Sequence, residues 1–153
     1  MNAAPRVAAA ILCAVLAAGC DRLGGSKTPF KSVDVTGAPM GGELRLTDHN
    51  GKARSLADFR GKVVLVNFGY TQCPDVCPTT LADIAAAMKK LGADASQVQV
   101  LFVTVDPKRD KPELLRQYLP AFDASFLGLY GDEDATKKVT RDQAMAVMPA
   151  AGR

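Results

Sequence analysis

Two cysteines, Cys73 and Cys77, stand four positions apart in the run Gly69-Tyr70-Thr71-Gln72-Cys73-Pro74-Asp75-Val76-Cys77-Pro78-Thr79-Thr80. On a helical turn that spacing brings the Cα atoms to about 6 Å, inside the range a disulfide spans. The same spacing offers two soft sulfur ligands to Cu(I). Both chemistries use the thiolate, and Pro78 puts Cys77 at or near a helix N-cap, where the helix dipole lowers a thiol pKa. A plain structural disulfide, or two inert buried thiols, is the silent alternative; a pair at a helix N-terminus is where reactive cysteines belong. The single histidine of the chain, His49, leaves no material for a His-rich metal site and argues against a Ser-His or Cys-His catalytic pair. No further cysteine pair completes a four-ligand zinc site once Cys13 and Cys20 are accounted for. A peroxidase-type nucleophile beside Thr71 is argued against by the second thiol so close by.

The elements that must position this pair follow from periodicity. Glu43–Thr47 alternates polar and apolar residues, as a strand does, and Asp48-His49-Asn50-Gly51 is a turn with the Asn-Gly hairpin signal. Such turns sit at the surface, so His49 is expected to be exposed and not a ligand. Ser55–Phe59 reads as a short helical turn. Val63–Phe68 is a continuous apolar run, expected to be a strand buried on both faces. Pro78–Leu91 is a helix with Leu81, Ile84, Ala85, Met88 and Leu91 on one face, Lys89 and Lys90 in its last turn and Gly92 after it. Val98–Val105 is a second buried strand, Pro112–Leu119 a second helix with proline in its first turn, Phe126–Tyr130 a third strand, and a third helix starts at Asp132. Strand, helix, strand, helix, strand is an α/β pattern with a parallel core, whose chemistry gathers beyond the carboxyl ends of the strands. The cysteine segment lies there.

Composition sets the outer bounds. The 153 residues make one domain, and 48% apolar against 23% charged residues excludes a disordered chain. A net charge of +3 without a dense basic stripe excludes nucleic acid as a partner. Arg6 is followed by an uncharged, mostly apolar stretch to Gly19, too short to span a bilayer, and then Cys20. Leu16-Ala17-Ala18-Gly19-Cys20 resembles the bacterial lipoprotein signal. That resemblance implies a signal peptide over 1–19, lipid on Cys20, loss of Cys13 and a flexible Gly- and Pro-containing tether to residue 42. Asp21 resembles an inner-membrane retention signal. The expected location is the bacterial inner membrane, lipid-anchored and facing the periplasm.

The run from Gly61 to Leu81 resembles the Sco/SenC family, and Val103-Thr104-Val105-Asp106-Pro107-Lys108-Arg109-Asp110-Lys111-Pro112-Glu113 is similar to a second stretch of that family. The likeness runs from about Leu44 to about Asp142, which places the domain at 43–142. It implies a thioredoxin-like fold and copper bound through Cys73 and Cys77, which also form a reversible disulfide. The implied role is copper delivery to subunit II of cytochrome c oxidase, or to another copper protein. The enzyme-class rival is a thiol–disulfide oxidoreductase that reduces the receiving cysteines; an inactive truncated product is the third reading. Asp75 resembles the family's acidic outer-shell position and reads equally well as a turn residue. The chain departs from the family where a downstream histidine would supply a third copper ligand. Residues 143–153 do not resemble the family, so the C-terminal hairpin and helix are expected to be missing. Met145 and Met148 are expected to pack a helix and not to ligate copper.

Overall fold

The computed structural model describes residues 44–147. The expectations for residues 1–43, Cys20 and the first residue of the expected Glu43–Thr47 strand among them, for the side chain of Met145 and for Met148 onward fall outside the described residues. Five strands form one mixed sheet in the order β2-β1-β5-β4-β3. Strands β1 (Leu46–Asp48) and β2 (Ala53–Arg54) make a hairpin with Leu46 opposite Arg54, turned through Gly51 at φ 86°. A 3₁₀ turn, Leu56–Phe59, follows, with the Asp58 carboxylate accepting the Ser55 N–H at 2.7 Å. Strand β3 (Val63–Gly69) runs parallel to β4 (Val98–Thr104), in register from Val63 opposite Val98 to Gly69 opposite Thr104. Strand β5 (Leu127–Tyr130) is parallel to β4, and β1 joins it antiparallel on its other side. The parallel core is therefore as the sequence pattern requires, extended by an antiparallel hairpin.

Helix α1 (Val76–Leu91) connects β3 to β4, α2 (Pro112–Tyr118) connects β4 to β5, and α3 (Glu133–Val147) follows β5. Side chains of β4 alternate between two cores, as successive residues of a strand must. Val100 and Phe102 pack with Leu81, Ala85 and Met88 of α1 and Leu115 of α2. Leu101 and Val103 pack on the other face with Leu44, Leu46, Phe59, Leu129 and Val139 of α3. Burying a leucine such as Leu81 or Leu101 fully is worth about 1.5–3 kcal/mol. The architecture is the α/β, thioredoxin-like plan.

Two expectations change. Strand β3 is half-buried, not covered on both faces, because it is the last strand of the sheet and pairs only with β4 among the described residues. Leu91 is exposed, since ten positions beyond Leu81 it lies about 80° round the helix from it, at the rim of the apolar stripe.

Candidate functional site

The cysteine pair sits where β3 gives way to α1. Gly69, the last residue of β3, is buried, and a Cβ there would lie 2.9 Å from the Phe102 ring and 3.1 Å from Cys77 Sγ. Only glycine lets the Cys77 thiol rest against the strand end. The Gly69 carbonyl accepts the Val105 N–H at 2.9 Å, which carries the ladder one step beyond β4. The chain then turns, with the Cys73 N–H donating to the Tyr70 carbonyl at 3.2 Å. Asp75 is the N-cap residue of α1, and the Cys77 N–H donates to Cys73 Sγ at 3.4 Å.

This geometry corrects the expected assignment of the reactive thiol. The helix starts at Val76, not Pro78, so Cys77 is its second residue and Cys73 is the sulfur that receives a free N–H from the first turn. The Cys73 thiol is acidified by the Cys77 thiol donating to it, by the Cys77 and Asp75 N–H groups and by the Tyr70 hydroxyl, against an opposing contribution from burial. Burial pushes the Cys77 thiol up, and its role as donor to Cys73 and the negative charge of Asp110 push it further. Both cysteines are free and half-buried. Their charge reaches the neighbouring phenols: the Tyr70 pKa is raised chiefly by Cys73, that of Tyr118 by burial and then by Cys77.

Sequence reasoning missed the carboxylate behind this loop. Asp110 is 1% exposed. It accepts the Thr71 N–H at 3.0 Å, the Thr71 hydroxyl at 2.6 Å and the Thr104 hydroxyl at 2.7 Å. The Thr104 hydroxyl in turn accepts the Asp106 N–H at 3.0 Å. The available signal was positional: Asp110 lies in the loop beyond the carboxyl end of a central strand, where α/β sheets gather their working groups. The Asp106–Arg109 and Lys108–Glu133 ion pairs hold the rest of that loop, the second tying it to α3.

His49 is buried, not exposed. Its N–H donates to the Gly128 carbonyl at 2.8 Å and its Nδ1 accepts the Gly128 N–H at 3.0 Å, so the imidazole takes the place of a strand carbonyl. Arg116 of α2 donates to the displaced His49 carbonyl. Room for the ring comes from Gly128, where a Cβ would lie 3.1 Å from Nδ1. Strands β1 and β3 stand roughly 14 Å apart, three spacings of the sheet. His49 therefore does not join the cysteines. Among the described residues no three His, Cys, Asp or Glu side chains converge on a possible metal ion, and no helix is long and apolar enough to cross a membrane. An open cavity of about 480 Å³ between β1, β2 and the start of α3, lined by Arg54, Asp58 and Asp132 among others, includes neither thiol. What the site offers is two adjacent sulfurs, one acidified and one protonated, at a surface.

The SCO1/SenC family model matches residues 33–149. The chain belongs to the SCO1/SenC family. It is 39% identical over 101 residues to an SCO2-like protein of Rickettsia felis, covering 66% of this chain and 49% of that one. It is 43% identical over 102 residues to the human mitochondrial SCO2 homolog, covering 65% of this chain and 37% of that one. The chain thus spans half or less of the length of these relatives. Among solved structures it resembles Bradyrhizobium japonicum ScoI with copper bound, at 44% identity and a TM-score of 0.65, over 69% of this chain and 67% of that one.

Proposed function

We propose that this member of the SCO1/SenC family binds Cu(I) through Cys73 and Cys77 and hands it to a copper-accepting protein, the copper site of cytochrome c oxidase subunit II being the acceptor the resemblance implies. The observation that carries the reading is the Cys77 N–H on Cys73 Sγ at 3.4 Å, which keeps both sulfurs at one end of α1 with one of them disposed to ionise. Cu(I) is cargo here: Cys73 engages it as thiolate, Cys77 releases its proton and completes a two-sulfur site, and the acceptor's thiols displace both. Soft Cu(I) is content with few sulfur ligands, whereas Cu(II) prefers tetragonal nitrogen and oxygen donors. The proposed setting is the periplasmic face of the inner membrane, with lipid on Cys20 and residues 20–42 as tether; mass spectrometry of the N-terminal peptide tests it, and an unmodified peptide retaining Cys13 and Cys20 would reject it. Titration with Cu(I) against a competing chelator tests the site. One ion per chain is expected for wild type and His49→Ala, and none for Cys73→Ser or Cys77→Ser; retention by the serine variants would refute the assignment.

A second reading is favoured by the asymmetry of the thiols. An acidified Cys73 and a protonated Cys77 suit nucleophile and resolving roles. The Cys73 thiolate would attack a partner disulfide and release one partner thiolate. Cys77 would then close the Cys73–Cys77 disulfide and release the other. Turnover on an oxidised copper-site peptide, in the absence of metal, separates this reading from metal retention.

A further inference from the structure

We infer that Asp110 is a positioning residue for the cysteine pair: through Thr71 it fastens the start of the loop that carries Cys73 to the segment beyond β4, and so holds Cys73 Sγ against the first turn of α1, beside Cys77. The inference rests on the reading of Cys73 and Cys77 as a working redox pair.

The attachment spans 39 residues of sequence and has both a backbone and a side-chain component. Thr71 presents its N–H to Oδ2 and its hydroxyl to Oδ1 of the same carboxylate, at 3.0 and 2.6 Å, which fixes the orientation of the peptide two residues before Cys73. The anchor is itself held. Its Oδ2 also accepts the Thr104 hydroxyl at 2.7 Å, and its backbone N–H donates to the Asp106 carbonyl at 2.9 Å. Asp110 is 1% exposed and forms no ion pair among the described residues, so its charge is met by these hydroxyl and amide donors. A buried carboxylate held this way is expensive to leave short of donors, which makes the loop conformation it supports stiff. Stiffness matters to a dithiol because the equilibrium between dithiol and disulfide scales with the effective concentration of one sulfur at the other. Release of the loop from Asp110 lowers that concentration and disfavours the disulfide.

The test is the equilibrium of full-length protein with glutathione redox buffers at constant pH, read by thiol trapping, with melting temperature recorded alongside. The variants are Thr71→Val, Thr71→Ser, Asp110→Asn and His49→Ala. Thr71→Val removes the hydroxyl without changing any charge; a tenfold loss in the disulfide equilibrium is expected, equivalent to a rise of about 30 mV in reduction potential. Thr71→Ser restores the hydroxyl and the wild-type equilibrium. Asp110→Asn moves the same way as Thr71→Val. His49→Ala lowers the melting temperature and leaves the equilibrium where it was, which distinguishes positioning from general destabilisation. A Thr71→Val equilibrium within twofold of wild type overturns the inference, whether or not Asp110→Asn folds. A wild-type protein that never forms the Cys73–Cys77 disulfide overturns both the inference and the reading beneath it, whereas normal wild-type coupling with an unmoved Thr71→Val removes the inference alone.

Discussion

The imidazole of His49 stands in for a strand carbonyl, and burial is the main reason that its pKa lies below the ordinary 6.5; Arg116 adds to the effect and Asp48 opposes it. The folded state therefore prefers neutral His49. Its contribution to stability is complete above pH 6.5 and is lost as pH falls through the lower folded value. Denaturant unfolding between pH 5 and 8 should show wild-type stability declining below pH 6.5 and His49→Gln without that decline. His49→Ala should cost about 1–3 kcal/mol at pH 7.5, because the Gly128 N–H is left buried without an acceptor. The turn was legible from Asn50-Gly51; the burial was not, since it depends on the absent side chain of Gly128, 79 residues away. The thiols carry a second prediction at this scale. With Cys73 acidified and Cys77 the reverse, limited alkylation at pH 7 should label Cys73 first, and Cys77→Ser should react faster than Cys73→Ser; peptide mass spectrometry reads the order.

At the level of elements, the junction between β3 and α1 depends on Gly69. Gly69→Ala would drive a methyl to within 2.9 Å of the Phe102 ring and 3.1 Å of Cys77 Sγ. The expected result is a loss of about 1–3 kcal/mol, measured by denaturant unfolding, together with slower closure of the Cys73–Cys77 disulfide. Phe102 is fully buried and its ring also contacts Tyr118, so it has little freedom to yield. The helix itself was legible in its apolar stripe, its basic last turn and Gly92. Its first residue was not, because Pro78 is as compatible with the third helical position as with the first. That shift of two residues moved the acidified sulfur from Cys77 to Cys73. The buried bonds of Asp110 to Thr71 and Thr104 lay beyond local pattern for a different reason. A charged residue flanked by Arg109 and Lys111 reads as solvated surface until the fold brings three donors to it.

Across the molecule, one edge of the sheet differs from the other. The Gly69 carbonyl points to β4, and direction alternates along a strand, so the backbone groups of Val64, Val66 and Phe68 face away from β4. No charged residue or proline interrupts Val63–Gly69, and Val63 is 66% exposed. Among the described residues no strand pairs with these groups, and such an edge invites pairing with other chains. Residues 21–153 in solution should self-associate with rising concentration, and Val63→Lys should shift the population toward monomer while changing stability by no more than about 0.5 kcal/mol. Light scattering across a dilution series is the measurement; equal association of the two proteins would count against the edge. Apolar composition made Val63–Phe68 recognisable as a strand, but composition is the same for a central strand and for an edge whose cover comes from elsewhere. Rank in the sheet is a property of topology; the sequence pattern carried the parallel core and the hairpin turn, not which strand lies at the edge.

A helix begins with N–H groups that have no carbonyl to meet within it, and here the Cys77 amide is met by a sulfur. The cap of α1 is therefore an atom whose electron density changes with its chemistry. A thiolate is a good acceptor, and a disulfide or metal-bound sulfur a poorer one. The proton on the Cys77 nitrogen becomes a reporter built into the backbone. Its exchange with deuterated solvent should be slowest in the reduced, metal-free protein and faster once Cys73 is oxidised, with amides of α3, which packs in the other core, unchanged.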